Sequence, residues 1–151
     1  MSTDPLEGYV PAHLRDDRTD ETPAWPADEV APGLWQSGHP SPGEDWDAVF
    51  DLSGEEAPLQ DVEFYVHWLI EDGPKPDHDT LVALADLVRS MRASGKKVLV
   101  HCAAGMNRSG LLSAASLIRE GWTADDAIAA VREARPGALN NPEFQEMLYE
   151  L

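Results

Sequence analysis

Residues 97–110 read KVLVHCAAGMNRSG and decide the fold of this chain. The apolar run 97–100 is short, which predicts a central strand of a parallel sheet that is buried on both faces. The stretch 109–121 is apolar nearly all round and predicts a buried helix. The turn between strand and helix is therefore tight, and it contains the small residues that such a turn needs: Ala103, Ala104 and Gly105.

This turn also has the properties of an anion site. Successive N–H groups of a tight loop can point inward and form a nest, and the N-terminus of the next helix adds positive potential. Arg108 adds a bidentate fork that suits phosphate. Cys102 is the only cysteine of the chain and stands within these fields, which we expect to favour its thiolate. The pattern predicts a nucleophile at the floor of an oxyanion cradle.

The rest of the chain predicts an α/β domain with a central, mostly parallel, twisted sheet flanked by helices. Ligands of such sheets bind beyond the carboxyl ends of the strands, which is where Cys102 lies. The other predicted elements are a hairpin around Pro32-Gly33, strands within 46–53 and 62–72, a helix from Asp79 to the SGKK at 94–97, a helix that starts at Thr123 and ends near 134, and a helix within 141–151.

Length and composition predict one domain. Residues 1–28 are rich in Pro, Asp, Glu and Thr without periodicity, which is typical of a mobile acidic arm, and the domain is expected over 29–151. Of the net charge of −17, all lies in residues 1–80, with 20 acids and 3 bases, whereas 81–151 has eight of each. This distribution argues against a broad nucleic-acid surface and permits a local anion site beside Cys102.

Three features of the sequence bear on location. It contains no apolar run long enough to span a membrane, so we expect no membrane insertion. The first residues lack the basic and apolar regions of a secretory leader. One cysteine cannot form an internal disulfide, which suits a reducing compartment. We therefore expect a cytoplasmic protein.

The stretch HCAAGMNRSG resembles the signature of the cysteine-dependent protein tyrosine phosphatase superfamily, and the chain is similar to its compact dual-specificity-like branch over roughly 30–150. In that signature, His-Cys is followed after five residues by Arg and then by Ser or Thr. The opening PGLWQSGHP at 32–40 also resembles the first strands of this branch. The defining signature positions are all present: His101, Cys102, Gly105, Arg108, Ser109 and Gly110.

The resemblance implies a role for each of these residues. Cys102 would attack phosphorus and form a phosphocysteine, and Arg108 with the loop amides would hold the phosphate oxygens. Ser109 would ease departure of the cysteine thiolate. A plain helix N-cap is the other interpretation of Ser109, and both roles can hold together. His101 would orient the loop. The substrate-binding residues implied are Ala103, Ala104, Gly105, Met106, Asn107 and Arg108.

The mechanism also needs a general acid on an upstream loop. WLIEDGPKP at 68–76 resembles the acid loop of the regenerating-liver phosphatases, in which Asp-Gly precedes a proline-rich turn, and by this match the acid is Asp72. Asp77 and Asp79 are weaker candidates, and Asp79 is expected to cap the next helix.

The segment VREARPGALNNPEF at 131–144 resembles the part of this branch in which an asparagine three residues before a phenylalanine supports the phosphate loop. Here that residue is Asn141, and an ordinary helix cap is the alternative. Arg135 could reach the rim of the pocket, but we expect it on a solvated face.

Asn107 departs from the pattern, because many protein phosphatases of this type have glycine before the arginine. The Asn-Arg pair at this position resembles the corresponding pair in phosphatases that act on RNA 5′ ends. A purely conformational role is the other interpretation, since asparagine tolerates unusual backbone angles.

The function implied is hydrolysis of phosphomonoesters, foremost phosphotyrosine in proteins, with phosphoserine and phosphothreonine as further candidates. The same chemistry on an inositol phosphate, a phosphoinositide or an RNA 5′ phosphate is the main alternative. A sulfurtransferase or arsenate reductase-like enzyme and a silent phosphate-binding module are further ones. No cofactor is expected, and His39, His67 and His78 lack the spacing of a metal site. The sequence leaves the oligomeric state open.

Overall fold

The computed structural model describes residues 26–39, 45–53 and 62–151, so residues 1–25 of the predicted arm lie outside the described part. Its strands are β1 (Asp28–Ala31), β2 (Leu34–Ser37), β3 (Ala48–Asp51), β4 (Phe64–His67) and β5 (Val98–His101). Its helices are α1 (His78–Ala93), α2 (Arg108–Glu120), α3 (Ala124–Ala134) and α4 (Pro142–Tyr149).

The five described strands form one mixed sheet in the order β1-β2-β5-β3-β4. β1 and β2 form the predicted antiparallel hairpin, with Gly33 at φ 79° in its turn. The other neighbours are parallel, and β5 pairs with β2 on one side and with β3 on the other. The apolar run 97–100 therefore contributes the central strand, and the predicted α/β fold class is confirmed.

Side chains of β5 alternate between two apolar clusters, as a strand buried on both faces requires. Val98 and Val100 belong to the main core, which also takes up the buried faces of the four described helices. Leu99 lies in a smaller cluster with Trp46 and Val49. α2 is buried through most of its length, as its apolar sequence predicts. In the described part of the chain no helix is long and apolar enough to cross a membrane.

β4 is shorter than the apolar run 62–72 that predicts it. The strand ends at His67, although the backbone N of Trp68 still donates to the Asp51 oxygen at 2.9 Å and that of Ile70 to the Leu52 oxygen at 3.3 Å. Ile70 is nevertheless buried at 7% exposure, because the segment after the strand packs its side chain into the main core. The apolar pattern thus continues past the end of the strand and leads directly to Asp72.

α1 begins at His78, and its N-cap is Asp77. The Asp77 carboxylate accepts hydrogen bonds from the backbone N and the Oγ1 atom of Thr80, at 2.9 and 2.7 Å. The prediction that Asp79 caps this helix is therefore wrong. Asp79 lies in the first turn, where a carboxylate is favoured by the helix dipole rather than by a capping bond.

Candidate active site

The loop that follows β5 touches the end of β2 backbone to backbone. Gly105 has φ 74°, and a Cβ atom there would lie 2.4 Å from the N atom of Gly38 and 2.7 Å from the carbonyl oxygen of Ser37. Glycine is therefore required at this position for two reasons: the positive φ angle and the close approach of the two backbone segments. The backbone N of Cys102 donates to the Ser37 oxygen at 3.3 Å, which fastens the start of the loop to the same strand end.

Cys102 is buried at the base of this loop, with 2% of its surface exposed. Its Sγ atom accepts hydrogen bonds from the backbone N of Gly105 at 3.2 Å and of Ser109 at 3.4 Å. The Oγ atom of Ser109 is 3.3 Å from the same sulfur. One donor thus comes from the loop and one from the first turn of α2, where the N–H groups have no partner within the helix. The sulfur lies among donors that suit a negative charge.

The outer side of the loop is held by two side chains. The carbonyl oxygen of Gly105 accepts from Gln36 Nε2 at 3.0 Å and from Arg135 Nε at 2.6 Å. Arg135 also donates to the Ala104 oxygen at 3.4 Å and to Asp28 Oδ2 at 2.8 Å. Its side chain is only 10% exposed, so the expectation of a solvated face is wrong. The reason is that the helix α3 ends beside the loop, within reach of these carbonyl groups.

These outer contacts fix the direction of the N–H groups on the inner side. In a planar trans peptide the C=O and N–H groups point in opposite directions. Because Arg135 binds the Ala104 oxygen outside, the N–H of Gly105 points inward, where it meets the sulfur of Cys102. The bonds to the Gly105 oxygen orient the N–H of Met106 inward in the same way. The loop is therefore a nest with a supported outer wall.

Asp72 lies in the loop after β4 and contacts two asparagines. Its Oδ1 atom accepts from Asn141 Nδ2 at 3.0 Å, and its Oδ2 atom accepts from Asn107 Nδ2 at 3.1 Å. Asn141 is also the N-cap of α4, since its Oδ1 atom accepts from the backbone N of Glu143 and Phe144 at 2.9 and 3.3 Å. The capping role and a contact with the site therefore occur together in Asn141.

Arg108 is the first residue of α2, and its guanidinium lies next to the segment that carries Asp72. Its Nη1 atom donates to the carbonyl oxygen of Ile70 at 3.3 Å. The side chain is half-buried. The cation that the sequence places beside Cys102 is thus held close to the acid loop.

His101 ends β5 and pairs in register with Asp51 of β3. Both residues are buried, and His101 Nε2 is 3.9 Å from Asp51 Oδ1. The same carboxylate accepts from Tyr65 OH at 2.6 Å and from the backbone N and Oγ of Ser53 at 3.0 and 2.9 Å. Burial by itself raises the pKa of Asp51, but the nearby His101 and these donors together lower it below its ordinary value. A buried ionised carboxylate therefore faces His101.

The predicted site residues form two groups in the structure, one at the sulfur of Cys102 and one at the carboxylate of Asp72. Ser109 belongs to the first group, and it is not the N-cap of α2, which is Asn107. Sequence reasoning missed the support from Gln36 and misplaced Arg135. The available signal was the RPG at 135–137, which ends a helix directly before the Asn141 segment. Within 26–39, 45–53 and 62–151, no three His, Cys, Asp or Glu side chains form a group that could hold a metal ion.

The sequence from 59 to 151 matches the dual specificity phosphatase catalytic domain, and the chain belongs to this family. The human protein tyrosine phosphatase type IVA 3 is 34% identical over 99 residues, which are 64% of this chain and 57% of that protein. The tyrosine-protein phosphatase CDC14 of Saccharomyces cerevisiae is 37% identical over 82 residues, 54% of this chain and 15% of that protein. The chain thus spans little more than half the length of the first relative.

Solved structures show the same fold. Tk-PTP in its active form is 28% identical, with a TM-score of 0.70 over 83% of this chain and 95% of that one. Human DUSP28 is 24% identical, with a TM-score of 0.74 over 83% of this chain and 91% of that one. The predicted membership in the compact dual-specificity-like branch is confirmed by these similarities and by the family match.

Proposed function

We propose that this protein hydrolyses phosphomonoesters through a phosphocysteine, with phosphotyrosine in proteins as its leading substrate. The observation that carries the proposal is the pair of hydrogen bonds that the sulfur of Cys102 accepts from the N–H groups of Gly105 and Ser109. Arg108 directly precedes Ser109 in the chain. Membership in the dual specificity phosphatase family supports the reaction. Similarity to a protein tyrosine phosphatase supports the substrate class.

In the first step, the thiolate of Cys102 attacks phosphorus while the bond from phosphorus to the leaving oxygen breaks. The carboxyl group of Asp72 gives its proton to that oxygen, so the alcohol or phenol leaves neutral. Arg108 and the inward N–H groups of the loop hold the other three phosphate oxygens. Fixed donors of this kind stabilise the charge of the transition state without having to reorganise.

In the second step, a water molecule attacks the phosphocysteine and gives a proton to the Asp72 carboxylate. The bond between phosphorus and sulfur breaks, its electron pair returns to Sγ, and inorganic phosphate leaves. The hydroxyl of Ser109, 3.3 Å from the sulfur, donates to it as it departs. His101, beside the ionised Asp51, orients the start of the loop and takes no proton in this scheme. The cycle closes without a cofactor.

Residues 29–151 are the proposed catalytic domain. A cytoplasmic location and a mobile acidic arm at 1–28 stay predictions from the sequence.

The first test is turnover of p-nitrophenyl phosphate by the parent, Cys102→Ser and Asp72→Ala proteins. We expect Cys102→Ser to release no product and still to bind vanadate or phosphate. Asp72→Ala should lose rate mostly on substrates with poor leaving groups. Hydrolysis at the parental rate by Cys102→Ser would show that the proposed mechanism is wrong. Release of sulfite and thiocyanate from thiosulfate and cyanide would instead support the sulfurtransferase alternative.

The second test is a substrate panel of phosphotyrosine, phosphoserine and phosphothreonine peptides, phosphoinositides and 5′-triphosphorylated RNA. We expect the highest kcat/KM on phosphotyrosine peptides. The net charge of −17 disfavours RNA, because a polyanion is repelled by an acidic protein. A higher kcat/KM on the RNA or the phosphoinositides would identify that class as the substrate in place of proteins. The phosphocysteine mechanism would be unaffected by that result.

A further inference from the structure

The side chain of Asn107 connects the Cys102 loop to two other segments. Its Nδ2 atom donates to Asp72 Oδ2 at 3.1 Å and to Asn140 Oδ1 at 2.9 Å. Its Oδ1 atom accepts from the backbone N of Asn141 at 3.1 Å. An amide side chain has two N–H donors, so both donors and the oxygen are engaged. Asn107 is 9% exposed, which limits competition from water.

The backbone of Asn107 gives no reason for an asparagine at this position. Its φ of −93° and ψ of −56° lie in the right-handed helical region, which most residues adopt easily. It is the N-cap of α2, yet its side chain makes no capping hydrogen bond. The conformational interpretation of Asn107 is therefore wrong. The contacts of the side chain are what distinguish it from glycine.

The carboxylate of Asp72 depends on two asparagines for its orientation. Asn107 donates to one of its oxygens and Asn141 to the other. Asn141 also donates to the carbonyl oxygen of Gly73 at 3.1 Å, which holds the backbone next to the carboxylate. Asp72 itself is exposed, so packing does little to fix its side chain. The two amide groups supply the restraint that burial does not.

We infer that Asn107 is a positioning residue for Asp72 and acts on the reaction only through that carboxylate. The inference rests on the proposed function, in which Asp72 protonates the leaving oxygen. Because Asn107 directly precedes Arg108, the group that orients the acid is joined to the group that clamps the phosphate. Asn107 thus helps to set the distance between acid and ester, and a misplacement of about 1 Å in such geometry can cost about a hundredfold in rate. Glycine at this position has no donor to give.

The test compares Asn107→Ala and Asn107→Gly on aryl phosphates whose leaving groups differ in basicity. Phenyl phosphate needs the acid and dinitrophenyl phosphate does not, since its leaving group departs without a proton. We expect kcat/KM to fall on the order of tenfold on phenyl phosphate and less than about twofold on dinitrophenyl phosphate. Inhibition by inorganic phosphate should stay at the parental value. Asn140→Ala is the matched control, because it removes the other acceptor of Asn107 and leaves the bond to Asp72.

A double-substitution cycle separates positioning from a structural role. In the Asp72→Ala background, we expect Asn107→Ala to change turnover of phenyl phosphate by less than about twofold, because the group through which it acts is already gone. An equal loss on both aryl phosphates, or a full further loss in the Asp72→Ala background, would overturn the inference. Thermal unfolding identifies a variant that fails to fold, and the glycine variant provides the second measurement, since related phosphatases fold with glycine there.

The same turnover measurements distinguish failure of the proposed function from failure of the positioning role. If the parent hydrolyses neither aryl phosphate faster than the Cys102→Ser protein does, the proposed function fails, whatever the Asn107 variants show. If the parent is active and sensitive to Asp72→Ala, while the Asn107 variants lose rate equally on both substrates, only the positioning role fails.

Discussion

The Nε atom of Arg135 lies 2.6 Å from the carbonyl oxygen of Gly105, 30 residues earlier in the chain. The contact is made from outside the loop whose N–H groups point towards Cys102. Within this loop, Ala103, Ala104 and Gly105 have no polar side chains that could hold the direction of these N–H groups. The guanidinium therefore supports the loop from outside. Its loss should change the N–H groups that surround the sulfur, although Arg135 does not contact the sulfur itself.

Arg135→Ala should weaken both the fold and anion binding. The side chain is buried and bonded to the Gly105 and Ala104 oxygens and to Asp28, so we expect the free energy of unfolding to fall by about 2 kcal/mol. The inhibition constant for phosphate should rise about tenfold, since the inward N–H groups lose their fixed direction. Chemical denaturation and phosphate inhibition measure the two effects. Arg89→Ala, an exposed arginine of α1, is the control and should change neither quantity.

Gly105→Ala should be far more harmful than alanine at another glycine of positive φ. Gly95 has φ 88°, and a Cβ atom there would have nothing within 4 Å, so Gly95→Ala isolates the conformational cost, about 1 kcal/mol. Gly105→Ala adds a clash at 2.4 Å with the backbone of Gly38, so we expect a loss of roughly 3 kcal/mol or more. Its kcat/KM should drop by about a hundredfold. Equal effects of the two substitutions in denaturation and turnover would contradict the close approach.

Tyr65→Phe should destabilise the protein at neutral pH and make its stability depend less on acid. Asp51 has a pKa below its ordinary value of 3.8, so its ionised form stabilises the fold above that pH, and this stabilisation is lost as pH falls through the lowered pKa. Removing the donor at 2.6 Å raises the pKa again and should cost about 1 kcal/mol at neutral pH.

Urea denaturation between neutral and acidic pH checks the prediction for Tyr65. The difference between parent and variant should shrink towards the acid end, where the Asp51 carboxyl group is protonated in both proteins. Tyr149→Phe is the control, because Tyr149 is exposed although its hydroxyl also bonds a carboxylate, that of Asp125 at 2.5 Å. A difference that stays constant with pH would mean that Tyr65 acts by packing alone.

Ser109→Ala should slow the second chemical step more than the first. In the proposed mechanism, the Ser109 hydroxyl, 3.3 Å from Sγ, assists the departing sulfur and has no part in the attack. We expect kcat to fall about tenfold or more and phosphocysteine to accumulate, so that stopped-flow traces show a burst of p-nitrophenol close to one per protein. Ser116→Ala, which removes a hydroxyl elsewhere on α2, should show the parental trace. A slower reaction without a burst would place the effect of Ser109 in the first step.

Local spacing is sufficient to predict the central strand, the loop and the buried helix. Each of these segments is specified by its own residues: the strand by the short apolar run 97–100, the loop by the glycine at 105 and the helix by the apolar stretch after Arg108. Their structure can therefore be predicted without knowledge of any distant contact. The same holds for α3, which starts where the sequence predicts: Thr123 is its N-cap and accepts from the backbone N of Asp126.

The support of the loop cannot be predicted in this way. Gln36 and Arg135 meet at one carbonyl oxygen, yet they are almost a hundred residues apart in the chain, and neither has a spacing relative to Cys102 that marks it. In the sequence, Asn107 is notable only because many related phosphatases have glycine at this position. Its side-chain contact with Asp72 produces no periodic pattern of residues from which it could be predicted. The sequence misplaces the cap of α1 by two residues, since the helix begins before its apolar face does.

The position of β5 between β2 and β3 has a consequence for any shortened form of the protein. The segment that matches the family begins at residue 59, whereas both neighbours of β5 come earlier in the chain. A fragment cut at that point would keep Cys102, Arg108 and Asp72, but its central strand would have lost its β2 and β3 partners. The recognisable part of the sequence is therefore smaller than the part that must be expressed for the loop to hold its shape.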